Sequence, residues 1–293
     1  MIFVSGANGQ LARAVITTIL EAGRGSSLAV GTRDVESAFA KELASNGVSV
    51  RLADYRVPDL MREALQGVDK ALFIPTYDPN DVRLQQNLNA LQAARAAGVR
   101  HVVYPSFINA ESTRVEHSRL VHFPTEQAIR ASGLDFTILR HALYADILVG
   151  DLQQTLATGV LRRPGGKARC AYVARADLGA SAAQVLMRDE PSGRVYSETM
   201  EQTYSGDEVA ALMSTVFATP VRYEAVAAAE WPRFMHERWG VPLELAKSTA
   251  GTMLAIEAGE FDLVSPDYRE ITGHPARSMH QFLESVRDAA RFR

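Results

Sequence analysis

Two glycines three residues apart, Gly6 and Gly9, stand directly behind the apolar run Ile2-Phe3-Val4. A strand that turns sharply into a helix at such a spacing gathers backbone N–H groups around a pyrophosphate. Gly6 permits the turn, Gly9 lets the backbone approach the phosphates, and the third, close-packing position is the small residue Ala12. Asn8, Gln10 and Leu11 complete the turn and are expected to touch the same dinucleotide. Arg33, behind the second apolar run, suits the 2′-phosphate of NADPH, while the adjacent Asp34 keeps NADH in play. Asp54, behind the third, reads equally as an acceptor for the adenine amino group or as a turn cap. His141 and Tyr144 are the candidate catalytic pair. They follow the sixth run, where ligands sit at the carboxyl ends of open α/β sheets. Either could donate to a carbonyl oxygen; the alternatives are a cofactor-amide contact for His141 and plain packing for Tyr144. Ser106 and Phe107, after the fifth run, are placed near the nicotinamide ribose or the acceptor, with Tyr77 and Phe123 as pocket wall.

These positions need a frame that brings strand ends together. Apolar runs at residues 2–5, 28–31, 48–52, 70–74, 101–105 and 135–139 alternate with helical periodicity at 10–22, 35–46, 59–66, 82–97 and 124–132. Five of those helices run into a glycine suited to a left-handed cap: Gly23, Gly47, Gly67, Gly98 and Gly133. The pattern is that of a parallel sheet covered on both faces. After Arg140 the rhythm breaks. Residues 158–169 read as a hairpin or loop, 176–187 as a helix, 194–197 as a strand, and 205–217 as a helix opened by a Ser205/Glu208 capping box. Helices are expected at 229–239, 243–258 and 279–290. The expected division is a dinucleotide-binding unit at 1–150, to which 170–200 return, and a smaller lobe at 151–293. His117 and His122 read as loop histidines. Trp231, Phe234, Met235 and Trp239 read as core at helical spacing, with a lid over a polycyclic substrate as the alternative.

The 293 residues carry a net charge of −3 without a basic run, so nucleic acid is not an expected partner. A single cysteine, Cys170, excludes an internal disulfide and a cysteine-rich metal site, and it reads as a small buried hydrophobe. No metal site is suggested by spacing. No apolar stretch reaches the roughly 18 residues of a membrane span, and a cytoplasmic protein, monomer or homodimer, is expected.

None of the nine tyrosines is followed by Lys at the fourth position, so the usual ketone-reducing acid is missing. A ketone needs its developing alkoxide protonated, whereas a quinone or cationic dye is already electrophilic. The absence points to a conjugated acceptor or to no catalysis. Seven stretches then give a resemblance: Gly6-Ala7-Asn8-Gly9-Gln10-Leu11, Ala53-Asp54-Tyr55, Leu65-Gln66-Gly67-Val68, Ala94-Arg95-Ala96-Ala97-Gly98-Val99, Leu139-Arg140-His141-Ala142-Leu143-Tyr144, Arg175-Ala176-Asp177 and Ile271-Thr272-Gly273-His274-Pro275. The chain resembles the NmrA-like atypical short-chain dehydrogenases, near bacterial NADPH-dependent quinone reductases and triphenylmethane dye reductases. The resemblance implies an α/β fold: a Rossmann-type doubly wound parallel sheet with a smaller, mostly helical C-terminal lobe and a substrate cleft between. It implies that Pro75, Thr76 and Tyr77 pass near the nicotinamide and that residues 141–146 line it. It implies an NADPH-dependent reductase of a quinone or similar planar acceptor. An aromatic polyketide quinone whose reduced form reacts with oxygen is one candidate, suggested by an Ala- and Arg-rich composition. A non-catalytic, dinucleotide-sensing regulator is the alternative. Two departures stand out: Ala12 replaces the third glycine, and Gln127 stands where some relatives carry a lysine after Thr-Glu.

Overall fold

The computed structural model describes residues 1–189, 191–247 and 249–291. Seven parallel strands form the central sheet: β1 (Ile2–Val4), β2 (Leu28–Thr32), β3 (Ser49–Leu52), β4 (Lys70–Leu72), β5 (His101–Phe107), β6 (Asp135–His141) and, much later, β10 (Arg194–Glu198). Their order is β10-β6-β5-β4-β1-β2-β3. The direction of winding reverses between β1 and β4, which opens a crevice at the carboxyl edge there. β1, β2 and β4 are buried along their whole length, as expected of strands covered on both faces.

Helices α1 (Gln10–Glu21), α2 (Ala38–Ser45), α3 (Pro58–Ala64), α4 (Asn80–Ala97) and α5 (Phe123–Ala131) connect the first six strands. The five glycines at or just past their ends all take φ between +71° and +78°, the left-handed region that ends a helix without steric cost in glycine. α4 starts at Asn80, two residues before the apolar periodicity, because Pro79 supplies a ready-made cap position. A turn of π-helix, Ser118–His122, runs straight into α5, so His122 is not a loop histidine; it is buried under Tyr104.

Beyond β6 the chain forms β7 (Leu143–Tyr144), α6 (Leu152–Thr158), β8 (Val160–Arg163), β9 (Arg169–Val173) and α7 (Arg175–Met187) before β10. α7 lies so close on α1 that a methyl at Gly179 would sit 2.4 Å from the Ala14 Cβ. There follow β11 (Thr203–Ser205), α8 (Gly206–Phe217), β12 (Arg222–Ala225), α9 (Trp231–Trp239), α10 (Leu243–Lys247), α11 (Ala250–Glu257), α12 (Asp267–Thr272) and α13 (Met279–Arg291). The capping box between Ser205 and Glu208 is present. Residues 158–169 do not fold back as a hairpin: β8 pairs in parallel with β12 instead, Arg163 opposite Ala225. The helix expected over 243–258 is two helices, with Ser248 outside the described residues. Trp231 is buried and stacks on Phe234 at 5.3 Å, with Trp239 edge-on at 5.1 Å, which makes this cluster core. Cys170 is buried, and burial pushes its thiol up to about 11.

Among the described residues no helix is long and apolar enough to cross a membrane, and no group of three or more His, Cys, Asp or Glu is placed to hold a metal.

Candidate active site

The turn between β1 and α1 has the form of an anion cradle. Gly6 takes φ +64°, the Gly9 N–H donates to the Gly6 carbonyl at 2.8 Å, and the Ala7 N–H donates to the Gly31 carbonyl at 3.0 Å. The first turn of α1 has no acidic residue and no side-chain cap, so its N–H groups are left for an external anion. A methyl on Gly6 would meet no protein atom within 4 Å, so the turn is open on that side. Asn8 braces the cradle against the end of β2, donating to Thr32 Oγ1 at 3.2 Å and accepting from Ser37 Oγ at 3.3 Å. Arg33 is exposed at that same end, with no hydrogen bond or ion pair among the described residues, and its charge reaches Asp54. The Asp54 carboxylate itself is taken by Arg56, whose Nε donates to both oxygens at 3.0 and 3.1 Å. That contact, ahead of the others, holds the acid below its ordinary range. Asp54 Oδ1 also accepts from the Arg56 backbone N–H at 2.9 Å, so the acid closes its own turn.

The other end of the crevice is built from the loop after β4, the end of β5 and the end of β6. Pro75 and Thr76 are half-buried, and Thr76 Oγ1 donates to Gln86 Oε1 at 2.5 Å, which pins the loop to α4. Tyr77 projects almost fully into solvent, 97% exposed, yet lies near enough to Tyr144 to oppose its ionisation. Ser106 is buried and donates to Glu126 Oε1 at 2.6 Å, so its hydroxyl is engaged inside the protein. Glu126 is held in turn by Arg140, Nε to Oε1 at 3.0 Å and Nη2 to Oε2 at 2.7 Å. Phe107 packs against His117, His122 and Phe261 at centroid distances of 5.5, 6.5 and 5.7 Å. Phe123 is half-buried at the start of α5.

His141 and Tyr144 do meet: Nδ1 and the phenolic oxygen are 3.2 Å apart. Burial pushes the Tyr144 phenol above its ordinary value. The Arg175 guanidinium lies over the Tyr144 ring at 5.0 Å and contacts both Gln10 of the cradle and Asp146, so one arginine links the two ends of the crevice.

Two residues escaped sequence reasoning. Glu198 ends β10 in register with His141 on β6, and its Oε2 lies 3.2 Å from His141 Nε2. Arg83, in the first turn of α4, is half-buried with no ion pair among the described residues, and its Nε is buried without a partner. Its charge, after burial, disfavours protonation of His117, which falls to about 4, and contributes likewise at His122. A cation in a first helical turn works against the dipole, which could have marked Arg83 in the sequence. Two surface hollows, of about 550 and 190 Å³, lie in the later half of the chain, around Pro220 and Trp239. They are away from the strand ends described above, and chemistry is assigned to the crevice.

A family model described as the NmrA-like family matches residues 1–264. Quinone oxidoreductase 2 of Escherichia coli (strain K12) is 29% identical over 279 residues, spanning 95% of this chain and 96% of the relative. NAD(P)H azoreductase of Xenophilus azovorans is 29% identical over 294 residues, 97% of each. The solved structure of Citrobacter sp. triphenylmethane reductase complexed with NADP(H) matches with a TM-score of 0.90 at 34% identity, covering 99% of this chain and 100% of that one.

Proposed function

The chain belongs to the NmrA-like family, and from that premise we propose that it is an NADPH-dependent reductase of a quinone, azo compound or similar planar conjugated acceptor. It is an NAD(P)H-dependent oxidoreductase. The observation that carries the acceptor class is the pairing of an acid-free phosphate cradle with Tyr144 and His141 at the far end, on a chain without a Tyr-Lys pair. Bound NADPH supplies the hydride. The Gly6–Gly9 turn and the α1 N-terminus hold its pyrophosphate, and Arg33 meets the 2′-phosphate. Tyr144 and Tyr77 flank a flat acceptor, and the Tyr144 hydroxyl donates to its oxygen. Proximity and orientation do most of the work, because the acceptor is electrophilic before it binds.

The test is NADPH absorbance decay with naphthoquinones, anthraquinones, azo dyes and triphenylmethane dyes. Saturable oxidation with at least one class is expected. Tight NADPH binding with no turnover of any class would overturn the reductase reading in favour of a dinucleotide sensor. Arg33→Ser should raise KM for NADPH roughly tenfold or more and leave NADH unchanged, the loss of one charge-assisted contact. A polyketide quinone that is reoxidised after reduction would be recognised by oxygen uptake coupled to NADPH loss.

A further inference from the structure

The geometry points to a proton relay, Tyr144–His141–Glu198, in which Glu198 is a positioning residue that keeps a proton on the His141 ring. This rests on the reductase reading above. His141 is 1% and Glu198 0% exposed at the side chain, and their side chains meet because residues 141 and 198 are register partners on adjacent parallel strands. The Oε2–Nε2 contact, at 3.2 Å, is off the line of a hydrogen bond, and neither Glu198 oxygen accepts one among the described residues. A bare carboxylate so buried is far costlier than an apolar residue of its size. A proton held in common with the imidazole, 3.2 Å away, would relieve that cost. The other ring nitrogen faces the Tyr144 hydroxyl at 3.2 Å, and Tyr144 alone of the three reaches the crevice.

The step balances simply. As the acceptor gains a hydride with its electron pair, the Tyr144 O–H bond breaks and an O–H bond forms on the acceptor's carbonyl oxygen. The phenolate oxygen takes the proton from His141 Nδ1, leaving a neutral ring whose Nε2–H faces the ionised Glu198. The acceptor has then gained one hydride, which carries the two electrons, and one proton. The ring is recharged from water through Tyr144 after the product leaves. The titratable and charged groups facing the relay include Tyr77, Arg175 and Asp146 at Tyr144, His122 at His141, and Tyr268 at Glu198.

Glu198→Gln, Tyr144→Phe and the double variant test the relay. Glu198→Gln should lower kcat roughly 10- to 100-fold, as loss of general-acid assistance does, with acceptor KM and NADPH Kd within about twofold. The double variant should be no slower than the slower single one, because both remove one pathway. In the apoprotein, ring ¹⁵N signals of His141, assigned by their loss in His141→Asn, should show both nitrogens protonated to a higher pH in the wild type than in Glu198→Gln. Unchanged kcat in Glu198→Gln, or identical ¹⁵N titrations, would overturn the relay and leave the reductase reading standing. If the wild type turns over no acceptor, that reading fails by itself, and the ¹⁵N comparison still decides whether the proton is shared.

Discussion

Replacing Arg140 by Met should destabilise this protein more than almost any other change at the crevice. Glu126 is 1% exposed, and its carboxylate accepts two hydrogen bonds from Arg140 and one from Ser106. Without the guanidinium, the acid keeps the Ser106 bond and a distant, exposed cation, Arg130 Nη2 at 3.8 Å. Breaking a buried pair from one side costs about 3–5 kcal/mol. Because Ser106 remains and Arg130 can swing closer, about 3 kcal/mol is expected here. The rim contact of Arg140 with Glu111, 3.0 Å and half-exposed, adds at most about 1 kcal/mol. For a chain of this size each kcal/mol moves Tm by roughly 2–4 °C, so a fall of about 6–12 °C should appear by circular dichroism. Adding Glu126→Gln to Arg140→Met removes the stranded charge, and the double variant should recover most of the loss. A single variant that falls by less than about 1 kcal/mol would refute the idea that Arg140 compensates a buried charge. So would a double variant no more stable than the single one.

Acid should weaken the fold through two histidines. His117, lowered to about 4 chiefly by burial and then by Arg83, and His122, lowered well below its ordinary value by burial, then by His117 and Arg83, stay neutral when folded. The unfolded chain takes up those protons near pH ~6.5, so stability is lost as pH falls below that point and the loss levels off near the folded values. For His117 alone the full loss is about 3 kcal/mol, an upper bound for a half-buried ring. Urea midpoints that are flat between about pH 7 and about pH 5 would sink this account. At the cradle, Gly6→Ala and Gly23→Ala both place alanine at positive φ, +64° and +71°, with open space around the new methyl. Each should cost about 1 kcal/mol in stability, but only Gly6→Ala should weaken NADPH binding, by tenfold or more in calorimetry. Equal NADPH affinity in the two variants would remove the cradle from Gly6.

Most of the frame could be read from the chain because its signals are local. A strand buried on both faces is an unbroken apolar run, and a helix that ends in Gly47 or Gly98 announces its end with a residue tolerant of positive φ. What escaped was non-local. β8 and β12 pair across about sixty residues, and nothing within 158–169 says that its partner is not its own neighbour. The histidines failed for a related reason: 117–122 lacks helical periodicity because its turn is a π-helix, and only the packing of Tyr104 and Phe107 shows that it is buried.

The same division runs through the site. Gly6, Gly9 and Arg33 are legible because a phosphate is held by backbone at one turn and by one side chain at the next strand end. His141 and Tyr144 are three residues apart and could be paired by eye. Glu198 could not, since it sits fifty-seven positions after His141 and becomes its neighbour only when β10 returns to the edge of the sheet. From the sequence alone, the lack of a Tyr-Lys pair argued for an acceptor that needs little help with its proton. The buried carboxylate changes the weight of that argument. A chain that retains Glu198 at the cost of desolvation, behind an imidazole that faces a tyrosine, has the parts of an acid without the lysine. The acceptors that separate these views are those whose reduced form is a strong base. If turnover depends on Glu198 more steeply for such acceptors than for cationic dyes, which need no proton on accepting hydride, the pair is doing acid chemistry; equal dependence would reduce Glu198 to a packing role.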